Sequence, residues 1–455
     1  MKRAALHNLG CKVNAYETEA MEQLLEAAGY RIVSFQEAAD VYVVNTCSVT
    51  NIAERKSRQM LHRARKLNPQ AVIVAAGCYV QAAQEDLKKD LAVDIIIGNN
   101  KKQDLVPVLE DYFRQRERER SGGEALPGQE AEGLSFVRTR VIPIGDTKEY
   151  ENLNISRLSG HTRAFVKVQD GCNQFCSYCI IPYTRGRVRS RRPSDVMQEA
   201  RRLVENGCRE MVLTGIHLSS YGTDLEEGTD LLSLIRQLHG LKGLERIRMG
   251  SLEPRIVTEE FAGALAAMEK VCPHFHLSLQ SGCDATLKRM NRHYTTAQYE
   301  DCCGILRAAF GHPAITTDVI VGFPGETEEE FWQTREYLER IHFYEMHIFK
   351  YSVRAGTRAA AMDHQVPEPV KAARSEELLK LEGQMSEEYR KRFLGKELQV
   401  LLEEPVTIDG KPYMTGYTRE YVKVAVPPEW GGRNCFVTGR AQGMLGREVL
   451  YMENL

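Results

Sequence analysis

Residues 163–192 read RAFVKVQDGCNQFCSYCIIPYTRGRVRSRR, a strand-like run followed at once by three cysteines and then by five arginines. The spacing C-x3-C-x2-C sets Cys172, Cys176 and Cys179 on one tight loop at the carboxyl end of that run. Three thiolates so placed can ligate three corners of a [4Fe–4S] cluster and leave the fourth iron open. A structural zinc loop is the other reading, but zinc normally takes a fourth ligand, and no adjacent residue is an obvious candidate. The position suits chemistry, because β/α folds build their sites at the carboxyl ends of strands.

Outward from the loop the strand–helix pattern repeats. Candidate strands Ala164–Gln169, Met211–Thr214, Arg246–Ser251, Phe275–Gln280, Thr316–Val321 and Met346–Tyr351 alternate with helix-like stretches at Ser194–Asn206, Leu231–Leu238, Thr258–Lys270, Thr296–Phe310 and Thr327–Arg340. Six such repeats predict a partial (β/α)6 barrel over residues 158–388 rather than a closed eight-fold one. Thr327-Glu328-Glu329-Glu330 reads as a helix N-terminus, its acids complementing the positive end of the helix dipole.

Upstream, residues 1–120 show apolar runs at Ala4–Leu6, Val41–Val44, Ala71–Ala76 and Val93–Ile97. Amphipathic stretches Ala15–Ala28, Asn51–Leu67 and Lys102–Gln115 lie between or after them. This is the pattern of an α/β domain with a doubly wound parallel sheet. The charged and Gly/Pro-rich run RQRERERSGGEALPGQEAEG (114–133) leads into an expected exposed linker, 121–157. Downstream, LQVLLEE, YVKVAVP and NCFVTGRA are short β-type runs, predicting a small β-barrel over residues 389–455.

The 455 residues are 43% hydrophobic and 27% charged, as in soluble globular chains of two or three domains. No run approaches the ~18 apolar residues of a spanning helix, so no membrane is expected. The opening MKRAALHNLGCKVNAYETEA lacks an apolar signal region, predicting a cytoplasmic location. Twelve cysteines without an export signal read as reduced thiols, for metal or catalysis before disulfides. The net charge of −2 leaves nucleic-acid contact to local patches.

Cys11, Cys47 and Cys78 each follow the end of a candidate strand, in LHNLGC, VYVVNTC and VIVAAGC. If those strands are neighbours in one parallel sheet, their loops bring three thiols to one edge, a second open three-cysteine cluster site. Three small buried core residues fit the same positions. Cys208, Cys272, Cys283, Cys302, Cys303 and Cys435 show no such pattern, and core packing is expected for each.

Together these residues resemble the methylthiotransferase family of radical-SAM enzymes. The blocks NTCSVT, GCYVQ, DGCNQFCSYCIIPYTRGRVRSR, LTGIHLSSYG, HLSLQSGC, TDVIVGFPGET and FKYSVRAGTRAA carry the resemblance along almost the whole chain, and the aromatic Tyr178 before the third cysteine fits the radical-SAM signature. The resemblance implies an N-terminal methylthiotransferase domain, a radical-SAM core and a C-terminal TRAM barrel. It implies two [4Fe–4S] clusters, one on Cys172, Cys176 and Cys179 that binds S-adenosyl-L-methionine, and an auxiliary one on Cys11, Cys47 and Cys78 that carries the sulfur. A 5′-deoxyadenosyl radical would remove hydrogen from an unactivated C–H, and a methylthio group would take its place. Contacts to S-adenosylmethionine are implied at Thr214, Gly215, Ser278, Gln280, Val321, Gly322 and Tyr178, positions that ordinary barrel packing also fits.

Arg185, Arg187, Arg189, Arg191 and Arg192 form a basic stripe beside the loop, suited to phosphate because the guanidinium fork donates two hydrogen bonds at once. A solvated charged face is the alternative. Arg55, Lys56, Arg58, Arg63, Arg65 and Lys66 make a second candidate patch or simply a solvated helix. In the barrel, Tyr413, Tyr417, Tyr421 and Lys423 suit RNA stacking and pairing, or core.

The family's substrates are isopentenyladenosine or threonylcarbamoyladenosine in tRNA and a ribosomal-protein aspartate. Seven Lys and Arg against eight Asp and Glu in residues 395–455 do not make the acidic barrel expected to dock a basic ribosomal protein. LTGIHLSSYG and HLSLQSGCDATLKRMNRHYTT resemble the threonylcarbamoyladenosine branch, whereas the isopentenyl branch tends to carry Pro before Gln-Ser-Gly. The resemblance thus implies methylthiolation at C2 of N6-threonylcarbamoyladenosine-37. Implied partners are the tRNA anticodon stem-loop, an electron donor such as a flavodoxin-type reductant, and a sulfur source. A non-catalytic iron–sulfur RNA-binding protein is the rival from another class.

Overall fold

The computed structural model describes residues 1–121 and 137–454, in two compact units. The first holds residues 1–156, 170–175 and 179–191; the second holds residues 157–169, 176–178 and 192–455.

The first unit is built on a six-stranded parallel sheet: β1 (Arg3–Asn8), β2 (Arg31–Ile32), β3 (Val41–Thr46), β4 (Val72–Gly77), β5 (Ile95–Ile97) and β6 (Arg138–Arg140), in the order β2-β1-β3-β4-β5-β6. The crossovers include α1 (Lys12–Ala27), α2 (Asn51–Leu67), the short α3 (Cys78–Ala82) and α4 (Gln84–Lys88), and α5 (Leu105–Arg120). The continuous apolar runs follow from burial on both faces. Tyr42, Val44, Ile73 and Ala75 point toward Leu61 and Ala64 of α2, while Val41, Val43, Val72 and Val74 meet Met21 and Leu25 of α1 and Leu105 and Leu109 of α5. The order reverses between β1 and β3, the switch point where doubly wound sheets open a crevice at their carboxyl ends.

The expected linker needs correcting. Residues 122–136 lie outside the described residues, but Arg138–Arg140 is β6, paired in register with Ile95–Ile97. An Arg-Thr-Arg edge strand carries no apolar signal, so the sequence pattern passes over it.

In the second unit, β7 (Arg163–Lys167) opens a parallel row. The two-residue strands β8 (Gln169–Asp170) and β9 (Arg189–Ser190) and the turn α6 (Ile181–Arg185) flank the cysteine loop along the chain. The row continues through α7 (Pro193–Glu205), β10 (Glu210–Thr214), α8 (Leu231–His239), β11 (Arg246–Met249), α9 (Glu259–Ala266), β12 (His274–His276), α10 (Asp284–Arg289), α11 (Thr296–Phe310), β13 (Ala314–Val321), α12 (Glu328–Ile341), β14 (Glu345–Lys350) and α13 (Glu368–Lys391). Two three-stranded parallel sheets, β7-β10-β11 and β12-β13-β14, are joined by single bridges at Ile247–Val271 and Leu252–Leu277, so six strands follow one another in chain order. The helix N-terminus expected at Thr327–Glu330 is present, and Thr327 closes a full capping box with Glu330. The fourth strand is regular only over His274–His276; beyond it the pairing continues as single bridges at Leu277 and Gln280, where Gln280 takes a left-handed φ of 75°.

The chain ends in a closed five-stranded barrel of β15 (Glu397–Ile408), β16 (Lys411–Tyr417), β17 (Lys423–Val426), β18 (Phe436–Leu445) and β19 (Val449–Glu453), in the order β15-β16-β17-β19-β18. Its interior is not sealed off at residue 389. Val400, Leu402, Val424 and Leu450 share one core with Tyr389 and Phe393 around the end of α13, with Tyr344, and with Ala314 of β13. Among the described residues no helix is long and apolar enough to cross a membrane.

Candidate active site

Cys11, Cys47 and Cys78 stand just beyond β1, β3 and β4, three neighbouring strands around the switch point of the first sheet. Two glycines make the convergence sterically feasible. Gly10 has φ 110°, and a Cβ there would lie 3.0 Å from Cys47 Sγ. Gly77 has φ 97°, and its Cβ would strike the Asn45 side chain at 2.5 Å. Burial, followed by repulsion from Cys78 and then from Cys11, pushes the Cys47 thiol up to about 12, so the sulfurs lie within electrostatic reach of one another.

Donors surround Cys78. Arg185 Nε donates to its Sγ at 3.2 Å and Asn99 Nδ2 at 3.6 Å. Arg185 is wholly buried and also donates to Glu17 at 2.9 Å, to both Asp170 oxygens at 3.1 Å and to Asn14 Oδ1 at 2.6 Å. Lys102, buried too, pairs with Glu17 at 2.9 Å and donates to Asn99 Oδ1 at 2.7 Å. Burial opposes the charge on Arg185, but Cys78, Glu17 and Asp170 outweigh it and hold the guanidinium protonated. Three converging sulfurs with cationic and amide donors fit a thiolate-ligated iron–sulfur cluster, whose potential hydrogen bonds to sulfur tune.

The loop of Cys172, Cys176 and Cys179 leaves all three thiols half-buried. Gly171 (φ 71°) passes so close to Arg187 O that a Cβ would lie 1.8 Å from it, and Phe175 is held in the left-handed region at φ 48°. Gln174 N donates to Cys172 Sγ at 3.5 Å. In the second unit, Arg292 Nη1 donates to Cys176 Sγ at 3.3 Å while its Nη2 donates to Ser278 O at 3.2 Å. These donors again fit thiolate ligands.

The expected cofactor contacts of the second unit lie at the carboxyl ends of the row. Thr214 ends β10, and Gly215 passes the Gln169 side chain, where a Cβ would lie 2.9 Å away. Ser278 and the left-handed Gln280 follow β12. Val321 ends β13, and Gly322 has φ 70° with the Lys371 stem filling the place of a Cβ. Tyr178 packs edge-on to Phe323, ring centroids 6.4 Å apart. Val321 and Thr214 are buried.

The arginine stripe requires correction. Arg185, Arg189 and Arg191 are at most 1% exposed, whereas Arg187 and Arg192 are exposed. Arg189 donates to Arg187 O at 3.0 Å; Arg191 donates to Asn152 Oδ1 at 3.1 Å and Asn154 Oδ1 at 2.7 Å. Guanidinium groups so enclosed are not presented to a phosphate in this arrangement. In the second patch Arg65 is likewise tied to Asp94 at 2.6 Å, while Arg55, Lys56, Arg58, Arg63 and Lys66 are at least partly exposed. Tyr417 and Tyr421 stack on each other at 4.4 Å with Arg163 beside the pair, and Arg248 also lies 4.8 Å from the Tyr421 ring, so each tyrosine gives one ring face to the other and not to a base. Lys423 is half-exposed, 3.9 Å from Glu404. Of the remaining cysteines, Cys435 is exposed rather than core; the other five are buried.

Arg292, Asn99, Glu17 and Asp170 were missed by sequence reasoning. Asp170 and Arg292 lie inside stretches quoted for the family resemblance without being singled out, and Glu17 is an acid on the buried side of an amphipathic helix.

Residues 3–98 match the uncharacterized protein family UPF0004 and residues 166–338 the radical SAM superfamily. A threonylcarbamoyladenosine tRNA methylthiotransferase, MtaB, of Bacillus subtilis (strain 168) is 40% identical over 93% of this chain and 90% of its own length. A tRNA-2-methylthio-N(6)-dimethylallyladenosine synthase of Moorella thermoacetica is 36% identical over 92% and 90%. The radical S-adenosylmethionine methyltransferase TsrM of Kitasatospora setae, solved with cobalamin and a [4Fe–4S] cluster, superposes with a TM-score of 0.57 at 16% identity, covering 79% of this chain and 77% of TsrM, a likeness of fold alone.

Proposed function

The chain belongs to the tRNA methylthiotransferase family of radical-SAM enzymes, and from that premise we propose that it methylthiolates C2 of N6-threonylcarbamoyladenosine at position 37 of tRNA. It is a transferase, of a family that binds S-adenosylmethionine and [4Fe–4S] clusters. The observation that carries the substrate is the 40% identity, over nine-tenths of both chains, to the Bacillus subtilis relative named for threonylcarbamoyladenosine. The dimethylallyl derivative is a second reading, favoured by the 36% identity to the Moorella protein.

Cys172, Cys176 and Cys179 would hold the cluster that binds S-adenosylmethionine, with Arg292 donating to Cys176; Cys11, Cys47 and Cys78 would hold the auxiliary one, with Arg185 and Asn99 donating to Cys78. When bound, these groups supply one-electron chemistry able to remove hydrogen from a carbon without a leaving group, and a sulfur to replace it. The chain's own part is to orient and shield. The buried Glu17, Asp170, Arg185 and Lys102 keep the first site's loops in one arrangement with their charges matched. Thr214, Gly215, Ser278, Gln280, Val321, Gly322 and Tyr178 would line the S-adenosylmethionine pocket. Exposed Arg187 and Arg192 and the half-exposed Lys423 would meet RNA phosphates, with the C-terminal barrel acting as a TRAM-type RNA-binding module. A flavodoxin-type reductant and a sulfur source would complete the cycle in the cytoplasm.

The test is mass spectrometry of nucleosides from total tRNA of cells with and without the gene. Loss of the 2-methylthio-threonylcarbamoyl nucleoside, with its precursor accumulating, is the expected result. A change in isopentenyl derivatives alone would move the substrate to the second reading.

A further inference from the structure

We propose that His276, Asp318 and His347 form a binding site for one divalent transition cation of the zinc type, separate from both cysteine groups. The three residues come from three adjacent parallel strands. Asp318 and His347 are register partners on β13 and β14, and His276 on β12 pairs with Thr316, two residues before Asp318. All three therefore project from the same face. It is the face away from the helices, since the alternating neighbour Phe275 packs on Phe310 of α11 and Thr317 lies against Tyr299 of the same helix.

The donor atoms are already spaced for a shared ion. His276 Nε2 lies 3.3 Å from Asp318 Oδ2, His347 Nδ1 lies 3.0 Å from Asp318 Oδ1, and one ligand atom from each residue falls within 4.8 Å of the other two. Ligands at tetrahedral positions ~2.0–2.1 Å from zinc are separated by about 3.3 Å. A second contact orients the inner ligand. His276 Nδ1 is 3.0 Å from Thr316 Oγ1, and the tautomer that donates this bond leaves the Nε2 lone pair directed at Asp318. The imidazoles stack with centroids 5.7 Å apart and 27° between planes, so both ring edges meet the carboxylate.

Two imidazoles and a carboxylate, with no sulfur, are a borderline donor set suited to zinc, cobalt, nickel or ferrous iron rather than to magnesium or calcium. Burial falls across the group, the side chains of His276, Asp318 and His347 being 10%, 27% and 62% exposed. Three protein ligands closed on one side and open on the other are the arrangement of a site that keeps a position for water or an oxygen ligand, not of a closed structural site. The open side is the one toward His347 on β14, the most exposed of the three.

Reconstituted protein carrying both clusters would be treated with a mild chelator, equilibrated with zinc sulfate and desalted, and its zinc and iron measured per chain. The wild type should retain about one zinc that His347→Ala and Asp318→Asn lose, with iron unchanged. His347 is mostly exposed, so His347→Ala keeps the fold and decides the case should Asp318→Asn be unstable. Zinc absorption spectra of the wild type should show nitrogen and oxygen scatterers without sulfur. Equal zinc in wild type and His347→Ala, no zinc in either, or sulfur around the metal would each overturn the site and leave a hydrogen-bonded His–Asp–His group.

Discussion

Arg185 Nε lies 3.2 Å from Cys78 Sγ, although the residues are 107 positions apart. The same guanidinium spans Glu17 and Asp170, so a cation sits between a strand-end thiol and two buried carboxylates. Arg185→Met would leave Glu17 to Lys102 at 2.9 Å and Asp170 only to Arg189 at 3.8 Å, and an uncompensated buried charge costs about 3–5 kcal/mol. The expected outcome is a lower unfolding midpoint together with loss of iron from one cluster only, read from calorimetry and iron analysis of the same preparation. Arg185→Met with full iron and an unchanged midpoint would make the Arg185–Cys78 bond incidental.

The two cysteine groups predict separable iron. Anaerobically reconstituted protein should hold about eight irons. Replacing Cys172, Cys176 and Cys179 by Ala should leave about four, and replacing Cys11, Cys47 and Cys78 the other four. If either triple variant keeps all its iron, that group is not a cluster site.

The split among the arginines predicts two phenotypes from one stretch of sequence. Arg187→Ala with Arg192→Ala should weaken tRNA binding and flatten the salt dependence by about one slope unit for each phosphate no longer neutralised. Arg191→Ala should instead lower stability, because Asn152 and Asn154 lose their buried donor, while the salt slope stays put. Filter binding across a salt series distinguishes the two. An unchanged slope in the double variant would place these exposed arginines outside the RNA path.

Much of this was legible because the chemistry follows strand ends. Cys11, Cys47 and Cys78 are far apart in sequence, yet each closes an apolar run, and a parallel sheet with a switch point brings such positions together. The arginines misled because Arg185 and its partner Glu17 are 168 positions apart, so one stretch of sequence displays the cations without their counterions. His276, Asp318 and His347 lie on three separate strands, and a spacing set by tertiary register leaves no local motif. The end of β12 and the whole of β6 were not legible because strand pairing reduced to single bridges, and a three-residue polar edge strand, fall below what periodicity detects.

His217 sits in the loop after β10, where burial first, then Arg292 and Arg255, lower its pKa to about 4. An unfolded histidine titrates near 6.5, so between these values the unfolded chain binds more protons and stability rises with pH. Its contribution is complete above about 6.5 and is lost progressively as pH falls toward 4, by at most ~1.4 kcal/mol per pH unit. His217→Asn should therefore narrow the difference between unfolding midpoints measured at pH 7.5 and 5.5. An unchanged difference would assign the acid sensitivity to other groups.

The barrel at the end of the chain is bound to the six-strand row by buried charge as well as by apolar packing, and this sets where the protein can be cut. Glu210 on β10 is 1% exposed and accepts from Arg248 Nε at 2.9 Å, with Arg246 Nη1 at 3.6 Å. Those arginines reach on to barrel carbonyls, Arg246 to Tyr417 O at 2.9 Å and Gln399 O at 2.9 Å, and Arg248 to Arg419 O at 2.9 Å. Glu210→Ala would strand two buried guanidinium groups and should destabilise by about 3–5 kcal/mol. The apolar part points the same way, since Tyr344 and Ala314 of the row pack in one core with Val400 and Leu450 of the barrel. A chain ending at residue 388, the boundary suggested by composition, would expose that core and leave Arg246 and Arg248 without their carbonyl acceptors. It should aggregate or lose its cooperative transition instead of yielding a folded radical-SAM core. A soluble, monomeric 1–388 chain melting as sharply as the full protein would show that the barrel is an appended module after all.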